Sequence, residues 1–178
     1  MTLMPVTVID LEKAIRNIPD FPQPGIQFKD ITPVLGDARL FAGAVDLLGA
    51  GFKPGDIDAV LGIDARGFIL GGAVAVKLGA GFVPVRKKGK LPFKTIEKNY
   101  DLEYGSNTLA MHVDALKPNS RVLLVDDLLA TGGTAWAASV LVHSLGAEIV
   151  GIRFLVELGF LHGRSKLKGL PVESLVIY

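Results

Sequence analysis

Short aliphatic runs alternate with segments of helical periodicity along most of the chain. The runs are rich in Val and Ile and are bounded by polar residues, which is typical of strands buried on both faces of a parallel sheet. Strands are predicted at Ile57–Ile63, Gly81–Val85, Val122–Val125, Glu148–Val156 and Pro171–Tyr178. Strands that alternate with helices indicate an α/β fold with a mostly parallel sheet.

The helices are predicted from apolar spacing and from capping residues. Thr7 and Asp10 form a capping-box pattern, which predicts a first helix over Val8–Asn17 that Pro19 ends. Further helices are predicted after an Asp37 cap, after the strand at 57–63 as far as Leu78, and over Ala135–Leu145. Residues 20–33 are rich in proline, which predicts an extended, irregular loop.

The composition is that of a globular chain of 178 residues, with 49% hydrophobic and 21% charged residues. We expect one domain that spans residues 1–178. The net charge of +1 gives no electrostatic reason to expect nucleic acid or a membrane surface as a partner. Cysteine is absent, which excludes disulfides and thiol chemistry, and no secretory signal or membrane span is visible.

A polar, glycine-containing loop, residues 126–134, joins the strand at 122–125 to the next helix. Glycines allow backbone N–H groups to approach an anion, and the positive end of a helix dipole adds to the attraction. The adjacent carboxylates Asp126 and Asp127 are suited to accept hydrogen bonds from vicinal hydroxyls, so the loop fits a sugar 5-phosphate. The alternative is that the two Asp side chains cap turns and that Thr131 caps the helix.

A second connection of this kind, residues 62–68, follows the strand at 57–63. Its Arg66 is suited to a polyphosphate, and the alternative is an ion pair with Asp64 across the turn. The cations of residues 86–90 follow another strand end, where open parallel sheets bind their ligands. Residues 90–111 are polar and weakly alternating, which predicts a flexible β-hairpin arm over the site.

Several separated motifs resemble those of the type I phosphoribosyltransferases, in particular the branch that uses adenine. They are F-P-Q-P-G-I-Q-F-K-D-I-T-P-V-L, G-I-D-A-R-G-F, V-R-K-K-G-K-L-P, L-E-Y-G, D-D-L-L-A-T-G-G-T and L-V-E-L. The resemblance implies a central, mostly parallel twisted sheet flanked by helices, an N-terminal hood at about residues 1–35 and a flexible arm at about 87–111. The implied reaction transfers the 5-phosphoribosyl group from 5-phosphoribosyl 1-pyrophosphate to adenine and gives AMP and pyrophosphate, a step of purine salvage.

The resemblance also implies roles for the residues of these motifs. Asp126 and Asp127 hold the ribose hydroxyls. The 5-phosphate is held by Ala130, Thr131, Gly132, Gly133 and Thr134, and the pyrophosphate by Asp64, Ala65 and Arg66, with a cis peptide after Asp64. The base lies under the hood, beside Ile26, Gln27 and Lys29, with Phe28 and Leu158 as apolar walls. Arg66, Arg86 and Lys90 neutralise charge, Tyr104 lies near the substrate, and Glu103 is the proton donor near the purine.

Mg²⁺ is the expected cofactor, bound mainly through the pyrophosphate and ribose of the substrate, because the chain shows no dedicated metal cage. The resemblance further implies a cytoplasmic homodimer that acts on adenine and phosphoribosyl pyrophosphate. Two alternatives stay open. One is a phosphoribosyltransferase for another base, such as hypoxanthine or xanthine. The other is a non-catalytic module of the same fold in a purine-responsive repressor, which would require an added helix-turn-helix domain and a basic face.

Overall fold

The computed structural model describes residues 5–101 and 106–178. The chain divides into two compact units, Met1–Leu47 and Leu48–Tyr178. The expectation of a single domain stays a prediction. No helix in the part of the chain that is described is long and apolar enough to cross a membrane.

The first unit combines short helices with a two-stranded sheet. Its elements are α1 (Val8–Ala14), β1 (Arg16–Pro19), β2 (Gln27–Asp30), α2 (Thr32–Gly36) and most of α3 (Ala38–Leu48). The capping box is present, because the Thr7 amide donates to Asp10 Oδ2 at 2.8 Å and the Asp10 amide donates to Thr7 Oγ1 at 3.3 Å. The Asp37 cap is also confirmed, since its Oδ1 accepts from the Leu40 amide at 2.9 Å.

Two predictions for this unit were wrong in extent. The first helix ends at Ala14 rather than Asn17, because Ile15 has an extended backbone and Arg16–Pro19 pairs antiparallel with Gln27–Asp30. The loop predicted over residues 20–33 therefore contains β2 and the start of α2. Hydrogen bonds between the two strands outweigh the local helical pattern here.

The second unit contains the central sheet. Its elements are β3 (Ala59–Ile63), α4 (Arg66–Leu78), β4 (Gly81–Lys87), β5 (Thr95–Asp101), β6 (Ser106–His112), β7 (Arg121–Leu129), α5 (Gly133–Ser144), β8 (Glu148–Glu157), two short 3₁₀ helices (Gly159–Leu161 and Gly163–Leu167) and β9 (Val172–Ile177). The strand order is β5-β6-β4-β3-β7-β8-β9. The pairs β4-β3, β3-β7, β7-β8 and β8-β9 are parallel. The two pairs made by β6, with β4 and with β5, are antiparallel. The predicted α/β fold with a mostly parallel sheet is confirmed.

Strand β7 is longer than the sequence predicts. The apolar run stops at Val125, but the strand continues through Asp126 and Asp127 to Leu129. The reason is its neighbour: β7 leaves β3 after Val125 and remains paired with β8 as far as Glu157. The two carboxylates therefore lie within a strand instead of in the loop that follows it.

The two faces of the sheet are packed in different ways. On one face, odd-numbered β3 residues such as Leu61 belong to a core cluster that includes alanines and Leu141 of α5. The other face receives α4 at close range, because a Cβ at Gly71 would lie 3.4 Å from the Cα of Gly62. Gly67 also needs to be small, since a Cβ there would lie 2.5 Å from Asp126 Oδ1, whereas Gly72 has open space around it.

The predicted hairpin arm is present as β5 and β6, which pair from Thr95 with His112 to Asp101 with Ser106. The base of the arm belongs to the main sheet, because β6 also pairs with β4. Tyr100, Leu109 and Met111 are buried in the core cluster, so the arm has more apolar anchors than its polar sequence indicates. Its turn lies outside the described residues, and its flexibility stays a prediction.

The close packing of α4 on β3 is testable with two glycine variants. Gly62→Ala should lower the free energy of unfolding by about 1–3 kcal/mol, as overpacking of a core does. Its Cβ would lie 2.7 Å from the Phe82 ring and 2.8 Å from the Gly67 carbonyl oxygen. Gly72→Ala is the matched control and should leave stability unchanged or raise it by about 0.5–1 kcal/mol, since alanine favours a helix. Urea unfolding measures both, and equal stabilities would contradict the packing.

Candidate active site

A cleft of about 370 Å³ opens at the carboxyl ends of β3 and β7, at the edge where parallel sheets bind ligands. It brings together residues from both loops that the sequence singles out. The predicted site residues that line it are Asp64, Ala65, Arg66, Asp126, Asp127, Ala130, Thr131, Gly132 and Thr134. Both loops end at a helix N-terminus, Arg66 for α4 and Gly133 for α5.

The loop between β7 and α5 presents its backbone to the cleft. Gly132 precedes the first helical residue and has a φ of 80°, a conformation that glycine adopts at little cost. No side chain caps α5, so the alternative in which Thr131 caps the helix is wrong. The first amides of a helix have no partner within the helix and lie at the positive end of its dipole. This loop, residues 130–132, can therefore bind an anion with uncharged donors, and we call it the anion loop.

Asp126 and Asp127 form a buried carboxylate pair, and their exposed fractions are only 9% and 8%. The Asp127 amide donates to Asp126 Oδ1 at 2.9 Å, and Arg66 Nε donates to Asp127 Oδ2. Burial, and then the charge of Asp127, raises the pKa of Asp126 well above its ordinary value. The pair can accept hydrogen bonds from hydroxyl groups, and a protonated Asp126 can also donate one.

The arginine pairings differ from the alternative that the sequence left open. Arg66 is paired with Asp127, not with Asp64 across its own turn. Asp64 accepts instead from Arg86 Nε at 2.8 Å, and Arg86 Nη1 donates to the Lys90 carbonyl at 3.0 Å. The peptide between Asp64 and Ala65 is cis, as the resemblance implied. The two ion pairs thus link three strand ends, those of β4, β3 and β7.

Some predicted residues lie beside the cleft without lining it. Arg86 reaches it through Asp64, and Lys90 is exposed on the loop after β4. Gly133 is buried as the first residue of α5. Leu158 directly follows β8, where its amide donates to the Leu129 carbonyl at 2.9 Å.

The structure also adds residues to the cleft to which the sequence assigned no individual role. These are Ile63, Tyr100, Leu109, Leu128, Leu129, Ala135 and Phe154. Lys87, one of the cations of residues 86–90 that the sequence places at a strand end, also lines the cleft as the last residue of β4. Tyr100 and Leu109 come from the arm, and only the pairing of β6 with β4 brings them to this edge.

The predicted base-binding segment lies in the first unit. Gln27, Phe28 and Lys29 lie in β2, and Ile26 precedes them. The ring of Phe28 packs edge-to-face on Phe21 with centroids 5.2 Å apart, and Gln27 Oε1 accepts from Asn17 Nδ2 at 2.7 Å.

The arm residues Glu103 and Tyr104 lie outside the described residues. Their roles, like those of the base-binding segment, stay predictions.

Within residues 5–101 and 106–178, no group of three or more His, Asp or Glu side chains is placed to hold a metal ion. The carboxylates that face the cleft are Asp64, Asp126 and Asp127, and two of them are already paired with arginines. Mg²⁺ prefers oxygen ligands and usually keeps several waters. The donor set therefore fits an ion that arrives with phosphate and water ligands.

Comparison with known proteins gives the same assignment as the site. The model of the phosphoribosyl transferase domain family matches residues 38–168. The adenine phosphoribosyltransferase of Maricaulis maris is 54% identical over 172 residues, which are 96% of this chain and 98% of that protein. The crystal structure of the adenine phosphoribosyltransferase from Rhodothermus marinus is 53% identical, with a TM-score of 0.91 over 96% of this chain and 98% of that chain.

A more distant relative retains the fold. The adenine phosphoribosyltransferase of Saccharomyces cerevisiae, crystallised with adenine and an imino-altritol bisphosphate, is 41% identical with a TM-score of 0.89, over 94% of this chain and 97% of that chain. The fold, the anion loop and the matching family model all indicate the same family. The chain therefore belongs to the phosphoribosyl transferase family, and within it to the adenine phosphoribosyltransferases.

The raised pKa of Asp126 gives a prediction for stability against pH. A carboxyl whose pKa is higher in the folded than in the unfolded state stabilises most below the unfolded value of about 4, and the contribution is lost as pH rises. Asp126→Asn has no such dependence and can still accept from the Asp127 amide. Its stability relative to the unsubstituted protein should therefore rise between about pH 4 and pH 8. Urea unfolding across this range measures the difference.

Asp58→Asn is a control of opposite sign. Hydrogen bonds from Arg121 lower the pKa of Asp58, so this carboxylate stabilises the fold above its unfolded value and loses the contribution as pH falls. The Asp58→Asn variant should therefore become less stable, relative to the unsubstituted protein, as pH rises up to about 5, and the difference should stay constant above that pH, so this control is measured in acid. If the stability of Asp126→Asn relative to the unsubstituted protein is constant or falls as pH rises, the pKa of Asp126 is not raised in the folded state.

Proposed function

We propose that the protein transfers the 5-phosphoribosyl group from 5-phosphoribosyl 1-pyrophosphate to adenine, releasing pyrophosphate and forming AMP. The observation that carries this proposal is the joint location, in one cleft, of an amide-rich helix N-terminus and a buried carboxylate pair. The first is suited to a phosphate monoester and the second to ribose hydroxyls. A sugar phosphate presents both groups at fixed separation, so the cleft is complementary to the donor substrate.

The residue roles follow from this placement. In our proposal the backbone of residues 130–134 holds the 5-phosphate, and Asp126 and Asp127 hold the ribose hydroxyls. The loop of Asp64, Ala65 and Arg66 holds the pyrophosphate. Its position beside the carboxylate pair, through the Arg66–Asp127 ion pair, supports this assignment.

Charge neutralisation is the main chemical contribution we assign to the chain. Positive charge develops at C1 of the ribose as pyrophosphate leaves, and no covalent nucleophile is required. Arg66, Arg86 and Lys90 are the cations that we propose to stabilise the leaving group, because fixed charges in a water-poor site lower the barrier without reorganisation. The ion pairs of Arg66 with Asp127 and of Arg86 with Asp64 hold both guanidinium groups at the cleft before substrate arrives.

Mg²⁺ is part of the proposal as an ion carried by the substrate. Asp64, Asp126 and Asp127 are the carboxylates that would contact it or its waters, in addition to the pyrophosphate and ribose oxygens. When bound, the ion neutralises charge on the pyrophosphate.

The base site rests on the resemblance and on the names of the relatives. We assign Ile26, Gln27, Phe28 and Lys29 to the hood over adenine, Leu158 to the apolar wall, and Tyr104 to the arm. A homodimer and a cytoplasmic location are part of the same proposal. The structure of the yeast relative was determined with adenine, which supports adenine as the base.

A purine panel tests the proposed function. Purified protein with phosphoribosyl pyrophosphate and Mg²⁺ should release pyrophosphate with adenine at least about 10² times more efficiently than with hypoxanthine, guanine or xanthine, because base-reading hydrogen bonds reject analogues that leave them unpaired. Arg66→Met should lower kcat/KM by about 10²–10³, since it removes charge from the cleft. A preference for another base would favour the first alternative, and no release with any base would favour the non-catalytic module.

Glu103 is proposed as the proton donor near N7 of the purine. The test compares the unsubstituted protein with Glu103→Gln and Glu103→Ala. If a hydrogen bond is what matters, Glu103→Gln keeps much of kcat while Glu103→Ala loses about 10²–10⁴, the usual worth of general acid–base help. If proton transfer matters, both variants fall together. Single-turnover measurements are required, so that slow product release does not mask the chemical step. Full kcat in both variants would remove Glu103 from the mechanism.

A further inference from the structure

We propose that the turn His162–Gly163–Arg164 supports the anion loop and sets its geometry. Gly163 and Arg164 are then positioning residues for phosphoribosyl pyrophosphate. The turn contacts the loop from outside the cleft, and none of its residues lines the cleft. His162 joins the two 3₁₀ helices that follow β8, and Gly163 and Arg164 begin the second of them. The inference rests on the proposed function, because it names what holds the phosphate subsite in shape.

Gly163 touches the anion loop backbone to backbone. A Cβ at Gly163 would overlap the Ala130 carbonyl oxygen and lie 3.0 Å from the Gly132 nitrogen. The contact is reciprocal, since a Cβ at Gly132 would overlap the Gly163 carbonyl oxygen. Any side chain at Gly163 therefore has to displace Ala130 and Gly132, the residues whose amides lie next to the start of α5.

The turn is tied down by an ion pair at the end of β8. Arg164 Nε donates to both oxygens of Glu157 at 2.9 Å, and Arg164 Nη2 lies 2.8 Å from Glu157 Oε2. Its Nη1 donates to the Val172 carbonyl at 2.8 Å. Glu157 is only 5% exposed. Burial raises the pKa of Glu157, but hydrogen bonds from Arg164 and Ser174 outweigh burial and lower it, so the carboxylate remains charged. A bidentate arginine–carboxylate pair fixes orientation as well as distance.

Two further anchors place the same segment. Leu167 is 2% exposed and belongs to the core cluster that includes α5. The Leu158 amide donates to the Leu129 carbonyl at the last residue of β7. The segment 158–167 is therefore held at both ends and in the middle. Through the contact of Gly163 it restricts the movement of Gly132. Preorganised amides bind a phosphate without the cost of ordering the loop.

Gly163→Ala isolates the contact from backbone strain. Gly132→Ala does not, because Gly132 has a φ of 80°, whereas the φ of Gly163 lies outside the left-handed region. We expect Gly163→Ala to raise the Kd and KM for phosphoribosyl pyrophosphate about tenfold or more, with a smaller change in the KM for adenine. Gly72→Ala adds the same methyl group in open space and should leave both constants unchanged.

Binding is measurable without turnover. Isothermal titration calorimetry measures it directly, with phosphoribosyl pyrophosphate and ribose 5-phosphate as probes. The two probes should weaken together in Gly163→Ala, because they share the 5-phosphate, while inorganic pyrophosphate binding should change less.

The ion pair is tested with Arg164→Met and Arg164→Lys. Arg164→Met should weaken phosphoribosyl pyrophosphate binding, and Arg164→Lys should restore part of it, since lysine keeps the charge but not the bidentate geometry. Unchanged Kd values in folded Gly163→Ala and Arg164→Met would overturn the positioning role of the turn. If Gly163→Ala does not fold, an unchanged Kd in Arg164→Met overturns it alone. A parent protein that binds neither probe overturns the proposed function itself, which is a distinguishable result.

Discussion

The burial of two adjacent carboxylates in β7 is the constraint on which the rest of the site depends. Like charges placed next to each other in a poorly solvated position are costly, and each needs a donor or a proton. Asp127 receives Arg66, and Asp126 accepts the amide of Asp127 while its pKa is raised. Arg66 reaches Asp127 only because α4 begins directly above the sheet. The small residues Gly62 and Gly67 allow that approach.

The same packing separates two kinds of anion site within one cleft. The loop before α5 has a glycine at positive φ and no capping side chain, so it presents backbone donors without net charge. The loop before α4 carries Arg66 and lies next to Arg86. A phosphate monoester suits the first environment, and the more highly charged pyrophosphate suits the second. In our proposal the sugar lies between them, at the carboxylate pair.

Support for the first of these loops comes from a segment distant in sequence. The turn at His162–Arg164 packs its glycine backbone against Gly132, and the pair of Arg164 with Glu157 ties that turn to the end of β8. A loop built of small residues has little side-chain packing of its own. Its shape must therefore be imposed by neighbours, and a neighbouring backbone without a side chain makes the closest contact available.

The sequence by itself determined the parallel strands of the central sheet and the two strand-loop-helix connections, and it predicted the type of ligand. These depend on apolar runs, glycine positions and charged residues that are adjacent along the chain, as in Asp126–Asp127. Only the tertiary structure decided which charges pair and where strands end. Arg66 pairs with Asp127 rather than Asp64, β7 continues past its apolar run beside β8, and Gly163 packs against the backbone of the loop before α5. Each of these results from contacts between residues far apart in the chain, which local spacing does not encode.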